Sequence, residues 1–340
     1  MAKPHMDGFT RKQALGYRLR VNHLAGERLP AGSLVAAASS GLQDGSPRSA
    51  LLSLAARVDG VGPDDWRASG LAQVFGPRGA IYVVPKTDVG VFTRGLLPRD
   101  PDRLAKLEAD ARKVHAVLGG GPMRQSDVVT AVPELGESAR QLRRAATLGT
   151  LIPVWDTVDT IVHPVAPPTV DPEAARLELA RRFFRFYGPA TVKDLQWWLD
   201  GLLGDAAATV TALGDELAKV IAAGQEHLVT AETLPYLTGT TDPDEVLLLP
   251  PDDVYINRLA GRLLVPDPVR FKMLWPQAPP PGALVIGGEV RGTWRRRGGA
   301  VVVTQWDEVS PSHRNRAETI AADWPLRPEE RAAVSWVDVE

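Results

Sequence analysis

One order of elements recurs along this chain: short helices with a narrow apolar face, followed by short strands around a tight turn. Thr10 followed by RKQALGYRLRVNHL reads as a capped helix with Leu15, Leu19, Val21 and Leu24 on or near one face. SLVAAASS and PRSALLSLAARV give two more short helices, and GPDDWRASGL starts with Pro-Asp-Asp. The period then changes. In FGPRGAIYVVP, Ala80 to Val84 is an apolar strand introduced by a Gly-Pro-Arg-Gly turn and stopped by Pro85. The order returns in MRQSDVVTAV, ESARQLRRAATLGT and LIPVWDTVDTIVHPV, where two strands flank Asp156 to Asp159. After the amphipathic helix DPEAARLELARRFFRFYG it returns again as TVKDLQWWL, TVTALGDELAKVIAAG and HLVTAE. Helices followed by a hairpin are the order of a winged helix.

The C-terminal part is built differently. LLLPPDDVYINRLAGRLLVPDP is punctuated by proline, QAPPPG is a loop, and ALVIGGEVRGTWRRRGGAVVVTQW alternates as strands with Gly-Gly turns at 287–288 and 298–299. A helix from about Ser310 to Trp324 and a final strand, AAVSWVDV, close this part. The expected fold class is therefore α+β, mainly α, with three tandem winged-helix units and a small antiparallel β domain. The expected boundaries are 1–120, 121–186, 187–245 and 246–340.

Composition excludes several classes. In 340 residues, 44% hydrophobic and 24% charged content with a net charge of -2 describe a chain able to bury a sizeable core. No apolar run reaches the roughly 18 residues needed to cross a bilayer. The N-terminus lacks an apolar signal core, and with no cysteine there is no disulfide framework or thiolate metal site. The expected location is the cytoplasm, on the nucleoid when bound to DNA. Near-neutral charge leaves nucleic-acid binding open, since that needs only local positive clusters. Such clusters occur at Arg140, Arg143 and Arg144, at Arg181, Arg182 and Arg185, at Arg258 and Arg262, and at Arg295 to Arg297 on a tight turn. A solvated helix face is the commoner use of any one of them.

Phosphate-loop, dinucleotide and His-Glu-x-x-His motifs are absent, and six scattered histidines have no ligand spacing. No metal or cofactor is expected. Asp252 and Asp253 suit either an ion pair with Arg258 or Arg262 that ties a loop to the core, or a place in a cleft. The stretch GLQDGSPRSALLSLAARV poses the sharper question, because Gln43 and Asp44 sit in a glycine-flanked elbow before a helix. Asp44 or Ser46 could cap that helix; cap preferences favour Ser46 and leave Asp44 free. Gln43 has no comparable structural reason to be there. Adjacent residues of an extended segment point opposite ways, so bringing both to one side relies on the freedom of Gly41 and Gly45.

Five blocks together resemble one family, the bacterial winged-helix DNA glycosylases of the AlkZ and AlkX (YcaQ) type. They are GLQ with SALLSLAARVDG (Gly41 to Gly60), PRGAIYVVP (Pro77 to Pro85), YGPATVKDLQWWL (Tyr187 to Leu199), LLLPPDDVYINRLAGRLLVP (Leu247 to Pro266) and GTWRRRGGAVVV (Gly292 to Val303). The resemblance implies a C-shaped clasp on double-stranded DNA, acting as a monomer, and hydrolysis of the N-glycosidic bond of N7-alkylated purines to leave an abasic site. Gln43 matches the first position of the family's elbow motif, and the sugar cation left by such a base calls for a carboxylate nearby, so Gln43 and Asp44 are the expected catalytic pair. The resemblance further places Ser46, Arg48, Arg78, Tyr82, Asp253, Tyr255, Arg262, Arg295, Arg296 and Arg297 along the DNA or lesion. This sequence departs from the family's Gln-x-Gln or Gln-x-Asp elbow: the third position is Gly45 and the acid stands at Asp44. The family's Arg-Gly-Thr-x-His strand reads Arg78-Gly79-Ala80-Ile81-Tyr82. Such changes point to a retuned pocket, for an adduct of a DNA-alkylating antibiotic of the trioxacarcin or azinomycin type, or to weakened catalysis. The alternative is a winged-helix protein that binds DNA or regulates transcription without cutting any bond.

Overall fold

The computed structural model describes residues 5–6, 8–45, 48–136, 139–222, 225–239, 241–242, 244–277, 279–297, 300–327 and 333–339. In chain order it begins with β1 (His5–Met6), α1 (Arg11–Val21), α2 (Leu34–Ala37), β2 (Leu42–Asp44), α3 (Ser49–Ala55), β3 (Leu71–Phe75), β4 (Ile81–Pro85) and α4 (Val89–Arg94). Next come α5 (Pro101–Leu118), β5 (Met123–Arg124), α6 (Gln125–Ala131), α7 (Arg140–Ala145), β6 (Leu151–Trp155), β7 (Thr160–Pro164) and α8 (Pro172–Phe186). The chain continues through α9 (Val192–Leu199), α10 (Leu203–Leu213), β8 (Leu217–Ala222), β9 (Gln225–Thr230), β10 (Val246–Leu249), α11 (Gly261–Leu264) and α12 (Pro268–Leu274). It ends with β11 (Gly282–Ile286), β12 (Glu289–Arg297), β13 (Ala300–Gln305), α13 (Pro311–Ala322) and β14 (Ala333–Asp338).

These elements form two compact units, one of residues 1–66, 184–190 and 215–340, the other of 67–183 and 191–214. The partition cuts across the expected boundaries, and the 187–245 segment is split: α9 and α10 belong to the second unit, β8 and β9 to the first.

In the first unit, Thr10 and Gln13 form the reciprocal cap that starts α1, with Gln13 N–H donating to Thr10 Oγ1 at 3.2 Å. Leu15, Leu19 and Leu24 then bury against Leu249, Tyr255, Leu264 and Val285. The helix is anchored at its middle by Arg18, 1% exposed, which donates to the carbonyls of Tyr187 (2.6 Å), Val254 (2.8 Å) and Tyr255 (2.7 Å). The larger sheet runs β10-β11-β12-β13-β14. It is antiparallel except at its last pair, where β14 joins β13 in parallel, so the expected purely antiparallel domain is corrected. A crossover through α13 returns the chain to the end at which β13 began, and that return makes the last strand parallel.

A second correction concerns residues 217–222, expected within a helix. Gly214, with φ 52, ends α10 at Leu213, and LAKVIA pairs antiparallel with β9 as β8. Val220 and Ile221 suit a strand better than a helix because their branched side chains are stiff. The far edge of β8 takes β1 in parallel.

In the second unit β3 and β4 form an antiparallel hairpin from Leu71↔Pro85 to Phe75↔Ile81. The elements from α5 to β7 follow the helix, helix, hairpin order, with a sheet in the order β5-β7-β6. Their core joins Val114, Leu118, Val128, Leu142, Leu151 and Val162 with Phe75. The Gln73 side chain accepts from Trp155 N–H at 2.7 Å, tying β3 to β6. Among the described residues no helix is long and apolar enough to cross a membrane, and no group of three His, Asp or Glu side chains could hold a metal.

Candidate functional site

The elbow of the first unit is a bend at Gly41, φ 72, followed by the three residues of β2 and then α3. Leu42 and Asp44 are buried while Gln43 between them is half-buried, the alternation of an extended strand. Gln43 and Asp44 therefore project to opposite faces, and the convergence that the two glycines were expected to permit does not occur. Only Gly41 uses the left-handed region.

Asp44 is 6% exposed, and its Oδ1 accepts from the Ala50 N–H at 3.2 Å, capping the first turn of α3. Its Oδ2 lies 3.5 Å from Arg48 Nη1. The expectation that Asp44 is left free is thus corrected; a carboxylate six residues back along a tight turn reaches the same orphan donor that a neighbouring hydroxyl would. Ser46, the expected cap and DNA contact, lies outside the described residues. Arg48 takes a left-handed conformation, φ 67, rare for a residue with a Cβ. It carries its guanidinium to 3.8 Å from the centre of the Trp66 ring. Asp44 thus meets the Arg48 guanidinium, which stacks on the Trp66 indole, and Trp66 is the member that the sequence did not single out.

Below α3 lies a buried ion pair. Asp253, 2% exposed, accepts from Arg57 Nη1 (2.8 Å) and Nη2 (2.9 Å), from Ser53 Oγ (2.5 Å) and from Tyr255 N–H (2.9 Å). Burial alone would raise its carboxyl, but the Arg57 guanidinium and these hydrogen bonds hold it below its ordinary value. Tyr255, fully buried, donates its hydroxyl to the Gly288 carbonyl at 2.6 Å. Asp253 and Tyr255 are therefore interior residues, the first tying the 250–257 loop to Ser53 and Arg57 and the second tying it to the turn between β11 and β12. The partner is Arg57, not Arg258 or Arg262. Arg262 is exposed on α11. Arg295 and Arg296 are half-buried on β12, Arg295 donating to the Pro279 carbonyl at 2.8 Å. The backbone of Arg297 pairs with Ala300, and the turn at 298–299 lies outside the described residues.

The second unit carries a cleft of about 610 Å³ in which Arg78, Arg103, Lys106, Arg140, Arg143, Arg144 and Arg176 outnumber Asp110, Asp200 and Asp205. Arg144 pairs with Asp200 at 3.4 Å. Arg78, another left-handed residue with φ 60, stacks 3.9 Å from the Trp197 ring and donates to the Trp197 carbonyl at 3.2 Å. Arg143 donates to the Gly79 carbonyl at 3.3 Å, while its Nε has no hydrogen-bond partner and burial pulls its guanidinium below the ordinary value. Arg103, Lys106 and Arg140 have no carboxylate within ion-pair distance among the described residues. A concave surface with this excess of positive charge suits an anion. Tyr82, expected beside Arg78 on the DNA, is 2% exposed and packs 6.4 Å from Phe92. It also fills the space at Gly76, where a Cβ would come within 2.7 Å of its ring.

The model of the family described as "DNA glycosylase AlkZ-like" matches residues 36–328. The chain belongs to the AlkZ-like DNA glycosylases. The solved structure of Streptomyces sahachiroi DNA glycosylase AlkZ superposes with a TM-score of 0.79 at 18% identity, covering 98% of this chain and 100% of that one. At that identity the likeness is one of fold. No curated protein sequence matches the chain. Membership of the AlkZ-like family makes this chain a DNA-binding hydrolase of N-glycosyl bonds. In this AlkZ-like chain the elbow keeps a half-buried glutamine while its acid turns inward, and the position at which the resemblance expects a histidine holds the interior Tyr82.

Proposed function

We propose that this protein releases cationic N7-alkylguanines, including bulky antibiotic-derived adducts, from duplex DNA and leaves an abasic site. In this reading three winged-helix units in one chain clasp the duplex as a monomer in the cytoplasm. The observation that carries it is the elbow itself: a half-buried glutamine on the strand leading into α3, next in sequence to an acid held by the Ala50 N–H and by an arginine that stacks on an indole.

The chemistry asks for little more. Alkylation at N7 already gives the base a positive charge, so its departure needs little acid catalysis. The sugar left behind gains oxocarbenium character and is stabilised by nearby negative or dipolar groups. Gln43 can orient the attacking water through its carbonyl and amide. Asp44 faces the other way, so its role is to set the position of β2 and of Arg48 and to lend charge from behind the strand. Arg48 and the cleft around Arg143 supply cations for phosphates, each on its own unit. No lysine stands in the elbow to form a Schiff base, which favours simple hydrolysis over strand scission.

The test is release of free base from N7-alkylated duplex by wild type and by Gln43→Ala. Loss of release in a folded, DNA-binding variant supports the reading, and undiminished release overturns the place given to Gln43. The inward Asp44 and the glycine at the third elbow position favour a second reading, DNA binding without excision. Wild type that binds but frees no base from several alkylated substrates would establish that one.

A further inference from the structure

The first unit holds a separate groove of about 490 Å³ between α11 and α12. Three cations line it, Arg258, Arg262 and Lys272, and no carboxylate does. All three are exposed, and among the described residues none has an ion-pair partner, although many arginines of this chain of net charge -2 are paired. Its floor is aromatic. Phe271 and Trp275 lie 4.8 Å apart at 56°, both half-buried, with the Arg258 guanidinium 5.8 Å from the Phe271 ring. Gly261 makes room for Phe271, since a Cβ there would stand 3.0 Å from the ring. Trp275 is fixed by donating its indole N–H to the Ile256 carbonyl at 3.2 Å, and Pro266, Pro268 and Pro276 stiffen the rim.

We propose that this groove binds an unpaired stretch of DNA strand, with phosphates held by Arg258, Arg262 and Lys272 and a base laid against Phe271 and Trp275. An intact duplex hides its base faces in the stack and offers phosphates alone, so an aromatic floor between unpaired cations would have nothing to meet. An unstacked strand offers both groups at once. The groove does not touch the elbow residues, and its occupancy requires no bond cleavage.

The experiment measures fluorescence anisotropy of lesion-free probes: a labelled oligothymidylate, an oligomer of abasic tetrahydrofuran units of equal length, and a duplex. The proteins are wild type and the double variant Arg262→Glu/Lys272→Glu, whose exposed positions leave the melting temperature unchanged. Wild type should prefer oligothymidylate to the abasic oligomer by about tenfold or more, as expected for one stacked base. The double variant should lose single-strand affinity by about tenfold or more, flatten the log K against log salt slope by about 1.4, and keep duplex affinity within about twofold. Equal affinity for the two single strands removes the base from the groove. Unchanged single-strand binding in the variant, or an equal loss on duplex, overturns the proposal. Because no probe carries a lesion, failure here is separate from failure of base release.

Discussion

Two substitutions at Asp44 separate its structural work from any part it has in chemistry. Asparagine keeps an oxygen that can accept from the Ala50 N–H and removes the charge that faces Arg48; alanine removes both. Loss of the cap costs about 1 kcal/mol. Loss of a hydrogen-bonded charge from a side chain with no exposed surface costs about 1.5–3 kcal/mol more. Asp44→Ala should therefore destabilise the first unit by about 2.5–4 kcal/mol, and Asp44→Asn by no more than the second of these amounts. If the charge also acts on the departing base, Asp44→Asn should slow single-turnover release by about 10²–10³-fold while remaining folded, the effect of deleting one preorganised electrostatic group. Urea denaturation and single-turnover release of N7-methylguanine, measured on the same preparations, give both quantities. Release at the wild-type rate by a stable Asp44→Asn protein would refute a chemical role for the carboxylate. Equal stability of the two variants would refute the cap.

Arg57→Ala strands the Asp253 carboxylate in the interior and should cost about 3–5 kcal/mol in chemical denaturation, with duplex affinity of the folded fraction unchanged; a loss of affinity without a loss of stability would restore Asp253 to the DNA surface. Arg140→Glu with Arg143→Glu should weaken binding of undamaged duplex and lower the log K against log salt slope by about 0.9 for each phosphate that the protein no longer neutralises; an unaltered slope removes the second unit's cleft from the DNA. Burial and the nearby Asp242, opposed by the Gly26 N–H at 3.3 Å, push Glu245 up to about 7 from 4.5. Between these values the folded chain holds a proton that the unfolded chain has released, so stability falls as pH rises across that window. Glu245→Gln should flatten the fall in a series of thermal melts, and an unchanged slope would show that Glu245 is not its source.

The parts of the fold legible in the sequence are those governed by near neighbours. The cap at Thr10, the strands around Asp156 to Asp159 and the helix after Ser310 follow from residues a few positions apart, and all are present. Residues 217–222 misled because Leu217, Ala218, Val220 and Ile221 also fit a helical face, and only pairing with β9 decides for a strand. The parallel β14 depends on where α13 returns the chain, which local pattern does not encode. At the elbow, the alternation that sets Gln43 and Asp44 apart was readable in principle. That Asp44 reaches the Ala50 N–H goes with the left-handed turn at Arg48, a conformation no arginine advertises. Likewise Asp253 found its cation 196 positions away in Arg57, while nearer arginines stayed at the surface.

The buried Arg18 ties the order of synthesis to the order of folding. Its acceptors lie at positions 187, 254 and 255, so α1 has no home for its guanidinium until segments 169 to 237 positions further along the chain have followed. Residues 67–183, by contrast, contain a hairpin and a core assembled from consecutive segments. During translation residues 67–183 are free to settle while α1 waits for the segments that carry its acceptors.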